Sequence, residues 1–256
     1  MEQKFNNEVI GISAEIAVAD IFNVAIDSIY RTRGNEEIVN LLKKNISKIF
    51  SDENIPFPFK HVAEGQNPID FILENGETLS IKTNKRQLGK VAPQIIGQPT
   101  NETYFFNMKD KFPNLTEFDI TNELKKRKVE DNYENRSKIF KEISIKYIDI
   151  IINEYWKNLV ECDYLLFFYN VVDKNENISK NSEYIVLRKE LKLPNWSKEN
   201  FSFTKSLENW NESNTVKYRI NNIKKPISIG EFQVHKNRNC FKFRFNIKNI
   251  LKIINS

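Results

Sequence analysis

Reactive side chains of two kinds are scarce in this chain: its 256 residues hold two cysteines, Cys162 and Cys240, and two histidines, His61 and His235. Cysteines so far apart give neither a disulfide framework nor the paired spacing of a zinc site, and they suit a reducing, cytoplasmic setting. Histidines outside any recognisable motif leave serine-hydrolase and zinc chemistry without support. Long hydrophobic runs are missing too. No stretch approaches the ~20 apolar residues that cross a bilayer, and Met1 to Glu8 is polar where an export signal would be apolar, so no membrane role is expected. Neither an internal repeat nor a low-complexity tract nor a linker divides the sequence. A single domain over residues 1–256 is the simplest expectation.

What is present describes a soluble globular protein, with 40% hydrophobic residues and a mean hydropathy of -0.54. Lys and Arg number 39 against 34 Asp and Glu, a net charge of +5. That mild surplus permits nucleic-acid binding without demanding it.

Residues Pro68 to Gln98 are the most informative. Asn75-Gly76 between apolar runs is a strong hairpin signal, so a strand is expected on either side. In the second strand, Thr78 to Asn84, side chains two apart share a face. This puts Ser80, Lys82 and Asn84 on one side and Leu79, Ile81 and Thr83 on the other. Asp70 reaches the Ser80 and Lys82 face from the end of the preceding strand. A carboxylate near an ammonium suits metal-assisted phosphodiester cleavage, because the carboxylate can hold Mg²⁺, a hard cation that prefers oxygen. The ammonium can then orient or activate the attacking water. Such short patterns also arise by chance in α/β proteins.

The pair Pro68-Ile69-Asp70 and Ser80-Ile81-Lys82 resembles the PD-(D/E)xK nuclease superfamily, and within it the type II restriction endonucleases. Two departures stand out. Ile69 separates the proline from the aspartate, and Ser80 stands where the family usually has a second carboxylate. Some restriction enzymes are similar in having serine there and drawing the acid from elsewhere. The resemblance implies Asp70 as a metal ligand, Lys82 as the residue that positions water, Ser80 as its hydrogen-bonding support, and an acid from an N-terminal helix.

Glu15 is the candidate for that acid. It sits in a helical stretch of small and aliphatic residues, with Gly11, Ile12, Val18 and Ala19 on its own face, where an unpaired charge is costly to bury. A glutamate at the helix edge reaching solvent is the alternative. Glu64 and Glu77 are further carboxylates that could complete the site.

Basic and amide side chains follow directly: Asn84, Lys85, Arg86, Gln87, Lys90, Gln94 and Gln98 suit contact with DNA phosphates and base edges. An ordinary solvated loop would look the same. Farther on, Ser228 to Phe245 reads as a hairpin in which Phe241, Phe243 and Phe245 line one face. Gln233, His235, Lys242 and Arg244, with Asn237 and Arg238 at the turn, line the other. A two-stranded ribbon of this kind fits the major groove, and a half-buried edge hairpin shows the same alternation.

The remaining elements follow from periodicity. Helices are expected over Asn6 to Phe22 and Arg33 to Phe50, the second with an apolar stripe of Ile38, Leu41, Leu42, Ile46 and Ile49. An exposed helix is expected over Glu117 to Lys128, and one long apolar helix from Glu134 to Cys162 should back the sheet. Asp163 to Val172 predicts a central buried strand and Tyr184 to Arg188 another. Pro194 to Asn214 reads as an irregular loop anchored by aromatics, and Ile247 to Ile254 as a closing helix. The fold class is α/β with an α+β character: a mixed central sheet flanked by helices, restriction-endonuclease-like, with a C-terminal β-hairpin.

By resemblance the expected activity is Mg²⁺-dependent, sequence-specific cleavage of double-stranded DNA that leaves 5′-phosphate ends. A homodimer on a palindromic site and a cognate DNA methyltransferase are the partners this implies. A structure-selective repair or recombination nuclease and a catalytically inactive DNA-binding protein are the competing expectations.

Overall fold

The computed structural model describes residues 5–63, 67–93, 112–193, 195–220, 225–236 and 240–255. The chain forms two interleaved compact units, Met1–Gly89 with Val160–Lys192, and Lys90–Leu159 with Leu193–Ser256.

The first unit begins with helix α1, Asn7–Phe22, capped by Asn6, whose side chain accepts from the Val9 N–H at 2.8 Å. Ile10, Ile12, Ala14, Ile16, Ala17, Val18 and Ala19 are all buried, so α1 is apolar on several sides, as an enclosed helix must be. A short helix α2, Ser28–Thr32, leads to α3, Glu36–Asp52, which Asn35 caps. Its stripe of Ile38, Leu41, Leu42, Ile46 and Ile49 is buried as its spacing predicts. Each such side chain contributes about 1.5–3 kcal/mol on leaving water.

Strands β1 (Pro58–His61), β2 (Phe71–Leu73) and β3 (Thr78–Thr83) form an antiparallel meander. Gly76 takes φ +84 at the turn between β2 and β3, a conformation that glycine adopts without a Cβ penalty. Strand β4, Lys90–Val91, belongs to the second unit. The chain returns as β5, Tyr164–Tyr169, parallel to β3, and β6, Glu183–Arg188, antiparallel to β5. The sheet order β1-β2-β3-β5-β6 is therefore mixed, as expected. Leu79, Ile81, Leu166 and Phe168 share one core with α1 and α3. Leu165 and Phe167, beside Ser80 and Lys82 in the register, are buried on the opposite face. Asp163 locks that register by accepting from both the N–H and the hydroxyl of Thr78, at 2.9 and 2.7 Å.

The second unit holds an antiparallel sheet of order β4-β10-β9-β8-β7, with β7 at Phe201–Phe203, β8 at Ser213–Tyr218, β9 at Ile227–His235 and β10 at Cys240–Asn246. The C-terminal hairpin is thus present, as β9 and β10. Two sequence expectations change here. Pro194 to Asn214 is not merely irregular: Phe201 and Phe203 lie on an edge strand, and the alternating Asn214, Val216 and Tyr218 of its neighbour are buried. The long apolar helix is two helices, α5 (Tyr133–Lys146) and α6 (Ile148–Leu159), broken at Tyr147, and they follow α4 (Ile120–Arg127).

Their aromatic faces meet the second sheet. Phe140 stacks on Phe241 at 4.5 Å between ring centroids, Trp156 meets Phe245 edge-on at 5.2 Å, and the Tyr155 hydroxyl donates to the Phe241 carbonyl at 2.7 Å. Helix α7, Ile247–Ile254, closes this unit. Among the described residues no helix is long and apolar enough to cross a membrane.

Candidate active site

The β2–β3 hairpin assembles the first part of the site. Asp70 directly precedes β2, and its backbone already joins the ladder through its N–H to the Leu79 carbonyl at 2.9 Å. That pairing turns the Asp70 side chain toward Ser80. Its Oδ2 accepts from the Ser80 hydroxyl at 3.1 Å and from the Ile81 N–H at 2.5 Å. Oδ1 has no hydrogen-bond partner among the described residues. Asp70 is 5% exposed and Ser80 2%, so the polar face of β3 is enclosed where the two meet.

Burial pushes the Asp70 carboxyl up to about 6. The Lys82 ammonium opposes that rise, the Glu15 carboxylate adds to it, and the hydrogen bonds from Ile81 and Ser80 pull it down. Lys82, half-buried two residues beyond Ser80, also lies within electrostatic reach of the Cys162 thiol. Burial pushes that thiol up to about 11, and the charge of Lys82 draws it back.

Glu15 comes to this neighbourhood from α1. It is 8% exposed, which answers the alternative of a helix-edge glutamate in solvent. Its Oε2 accepts from the Tyr30 hydroxyl at 2.7 Å and contacts His61 Nε2 at 2.9 Å. Burial and the Glu15 charge push the Tyr30 phenol well above its usual range. The other oxygen, Oε1, has no hydrogen-bond partner among the described residues.

Asp70, Ser80, Lys82 and Glu15 are thus brought together. Tyr30 and His61 complete the arrangement and were not legible as site residues: α2 is one turn long and has no periodicity, and His61 belongs to no motif. Glu77 is held at the Asn75-Gly76 turn by the Asn75 amide at 2.7 Å, and Glu64 lies outside the described residues.

Two buried carboxylates, each with one oxygen that has no hydrogen-bond partner among the described residues, match the hard, oxygen-only donor set of Mg²⁺. This ion commonly takes one or two protein carboxylates and completes its shell with water and substrate phosphate. Among the described residues no group of three or more His, Cys, Asp or Glu side chains could hold a metal by itself.

The DNA-contact candidates are mostly engaged with the protein. Lys85 and Arg86 both pair with Glu176. The Asn84 amide, oriented so that its oxygen accepts from the Gly89 N–H at 2.7 Å, braces its own loop. Gln87 is exposed. In the second unit, Glu231 gathers Lys90, Gln233 and Arg244 around its carboxylate. His235 lies 3.5 Å from Glu212, and Lys242 faces Gln233 across the ladder. Gln94, Gln98, Asn237 and Arg238 lie outside the described residues.

No protein-family model matches the chain, and no solved structure matches it. A curated relative does, and it is a type II restriction enzyme. Over 223 residues, 85% of its length, the chain is 34% identical to the type II restriction enzyme CviAII of Paramecium bursaria Chlorella virus 1. The chain spans about half the length of that relative, 52%.

Proposed function

We propose that this chain is a Mg²⁺-dependent endonuclease of the type II restriction class and a member of the PD-(D/E)xK superfamily, acting on a defined sequence in double-stranded DNA. The observation that carries the reading is the enclosed Asp70–Ser80–Lys82 cluster with Glu15 in electrostatic contact, in a chain similar to a type II restriction enzyme.

Asp70 and Glu15 would hold the metal through their uncommitted oxygens. When bound, Mg²⁺ supplies positive charge against the scissile phosphate and the departing 3′ oxygen, leaving a 5′ phosphate. Ser80 and the Ile81 N–H fix Oδ2 of Asp70, so the carboxylate needs no reorganisation when substrate arrives. Lys82, on the same strand face as Ser80, orients the attacking water. The polar face of the β9–β10 hairpin and the Asn84–Lys90 loop supply contacts to phosphates and base edges. A homodimer would match a palindromic target, and a cognate methyltransferase would protect the host genome in the cytoplasm. We further propose that the two units work as a single enzyme.

One observation favours a second reading. Ser80 stands where the superfamily usually has a second carboxylate, as suits a DNA-binding protein that no longer cuts. Incubation with unmethylated phage DNA and Mg²⁺, beside an EDTA control, separates the two. Discrete bands lost in EDTA support the endonuclease, a smear supports a non-specific or structure-selective nuclease, and tight binding without cutting supports the second reading.

A further inference from the structure

Glu15 is an unusual choice for a metal ligand, because it lies on a helix otherwise lined by aliphatic side chains. A flexible glutamate has several rotamers, and only some present a free oxygen beside Asp70. The structure removes that freedom. Oε2 of Glu15 is taken twice, by the Tyr30 hydroxyl at 2.7 Å and by His61 Nε2 at 2.9 Å. The two partners come from different elements, α2 and β1.

The partners are themselves held. The Tyr30 and His61 rings meet edge-on at 5.1 Å, and the His61 ring meets Phe71 edge-on at 5.0 Å. Phe71 is fully buried and immediately follows Asp70. A continuous line of packing therefore runs from Tyr30 through His61 and Phe71 to the backbone that carries Asp70.

We propose that Tyr30 and His61 are positioning residues. They clamp one oxygen of Glu15 so that the other is presented, together with Asp70, to a divalent cation. The inference rests on the reading of Asp70 and Glu15 as a metal site. Outer partners of this kind orient the groups that touch the metal, and their loss commonly costs about 10–100-fold in metal affinity. Tyr30→Phe keeps the ring and its packing while removing the hydroxyl. His61→Phe keeps a ring against Tyr30 and Phe71 while removing the nitrogen.

The test is Mn²⁺ binding to the full chain by isothermal titration calorimetry, with single-turnover DNA cleavage measured over a range of Mg²⁺ concentrations. Wild type, Glu15→Gln, Tyr30→Phe and His61→Phe are compared, each verified as folded by circular dichroism. Expected are a rise of about tenfold in the Mn²⁺ dissociation constant for Tyr30→Phe and a matching rise in the Mg²⁺ needed for half-maximal cleavage. The cleavage rate at saturating Mg²⁺ should stay close to wild type. A purely structural role would instead lower that rate without moving the metal dependence. Metal binding lost in Glu15→Gln but within twofold of wild type in both Tyr30→Phe and His61→Phe overturns the clamp and leaves the metal site standing. Unchanged Mn²⁺ binding in Glu15→Gln overturns the clamp and the ligand role of Glu15 together.

Discussion

Asp70→Asn is expected to stabilise the folded protein while abolishing cleavage. Asp70 is 5% exposed, and its carboxyl is pushed from an ordinary 3.8 up to about 6, a balance that already includes the attraction of Lys82. The folded state therefore holds this proton more tightly than the unfolded chain does. Stability falls as pH rises through the interval from 3.8 to about 6. The cost is absent below that interval and complete above it, where it amounts to about 3 kcal/mol. Asparagine keeps an oxygen for the Ser80 hydroxyl and the Ile81 N–H but carries no charge.

In EDTA at pH 8, urea denaturation should find Asp70→Asn more stable than wild type by up to about 3 kcal/mol, and the difference should close near pH 4. Added Mg²⁺ should then raise the stability of wild type by mass action and leave the variant unmoved. A variant less stable than wild type at pH 8 in EDTA, or a difference that does not change with pH, would refute the reasoning.

Three further outcomes are expected. Lys82→Ala should lower the single-turnover cleavage rate by about 10²–10⁴-fold with DNA affinity nearly unchanged, and cleavage at the wild-type rate would remove Lys82 from the reaction. Glu176→Gln releases Lys85 and Arg86 from their shared carboxylate. Fluorescence anisotropy should show tighter binding to non-specific duplex and a salt dependence steeper by about one to two phosphate contacts. Gly230→Ala places a Cβ against the Arg244 carbonyl oxygen and the Phe243 ring, and thermal melts should show a loss of about 1–3 kcal/mol.

The parts of the fold that were legible are those in which local pattern and tertiary environment agree. Asn75-Gly76 sets its hairpin by backbone conformation alone, and the stripe from Ile38 to Ile49 has the same meaning in isolation as in the folded unit. The run from Asp163 to Val172, too apolar for any surface, found its place between β3 and β6, with the strand itself ending at Tyr169. The segment from Glu134 to Cys162 failed differently. Its apolar residues continue through Tyr147, so periodicity could not show the break there. In the site, Asp70, Ser80 and Lys82 were readable because a strand's two-residue repeat fixes which side chains are neighbours. Glu15 could be suspected from the cost of its charge among aliphatic residues. Tyr30 and His61 could not, because they reach Glu15 from other elements across separations of 15 and 46 residues that no local pattern encodes.

Strands β3 and β5 lie side by side although the whole of residues 90–159 runs between them, and this has a consequence for synthesis. A nascent chain that has emerged only as far as Leu159 lacks the partner strand of β3. It also lacks β7 to β10, against which α5 and α6 turn Phe140, Tyr155 and Trp156. Neither unit closes until later segments leave the ribosome, so apolar surface from both waits exposed, which is the condition under which folding chains aggregate or recruit chaperones. The same interleaving defeats simple truncation. Any single cut between Lys90 and Lys192 divides both folds, and a fragment holding only the mixed sheet has to be spliced, residue 89 to residue 160.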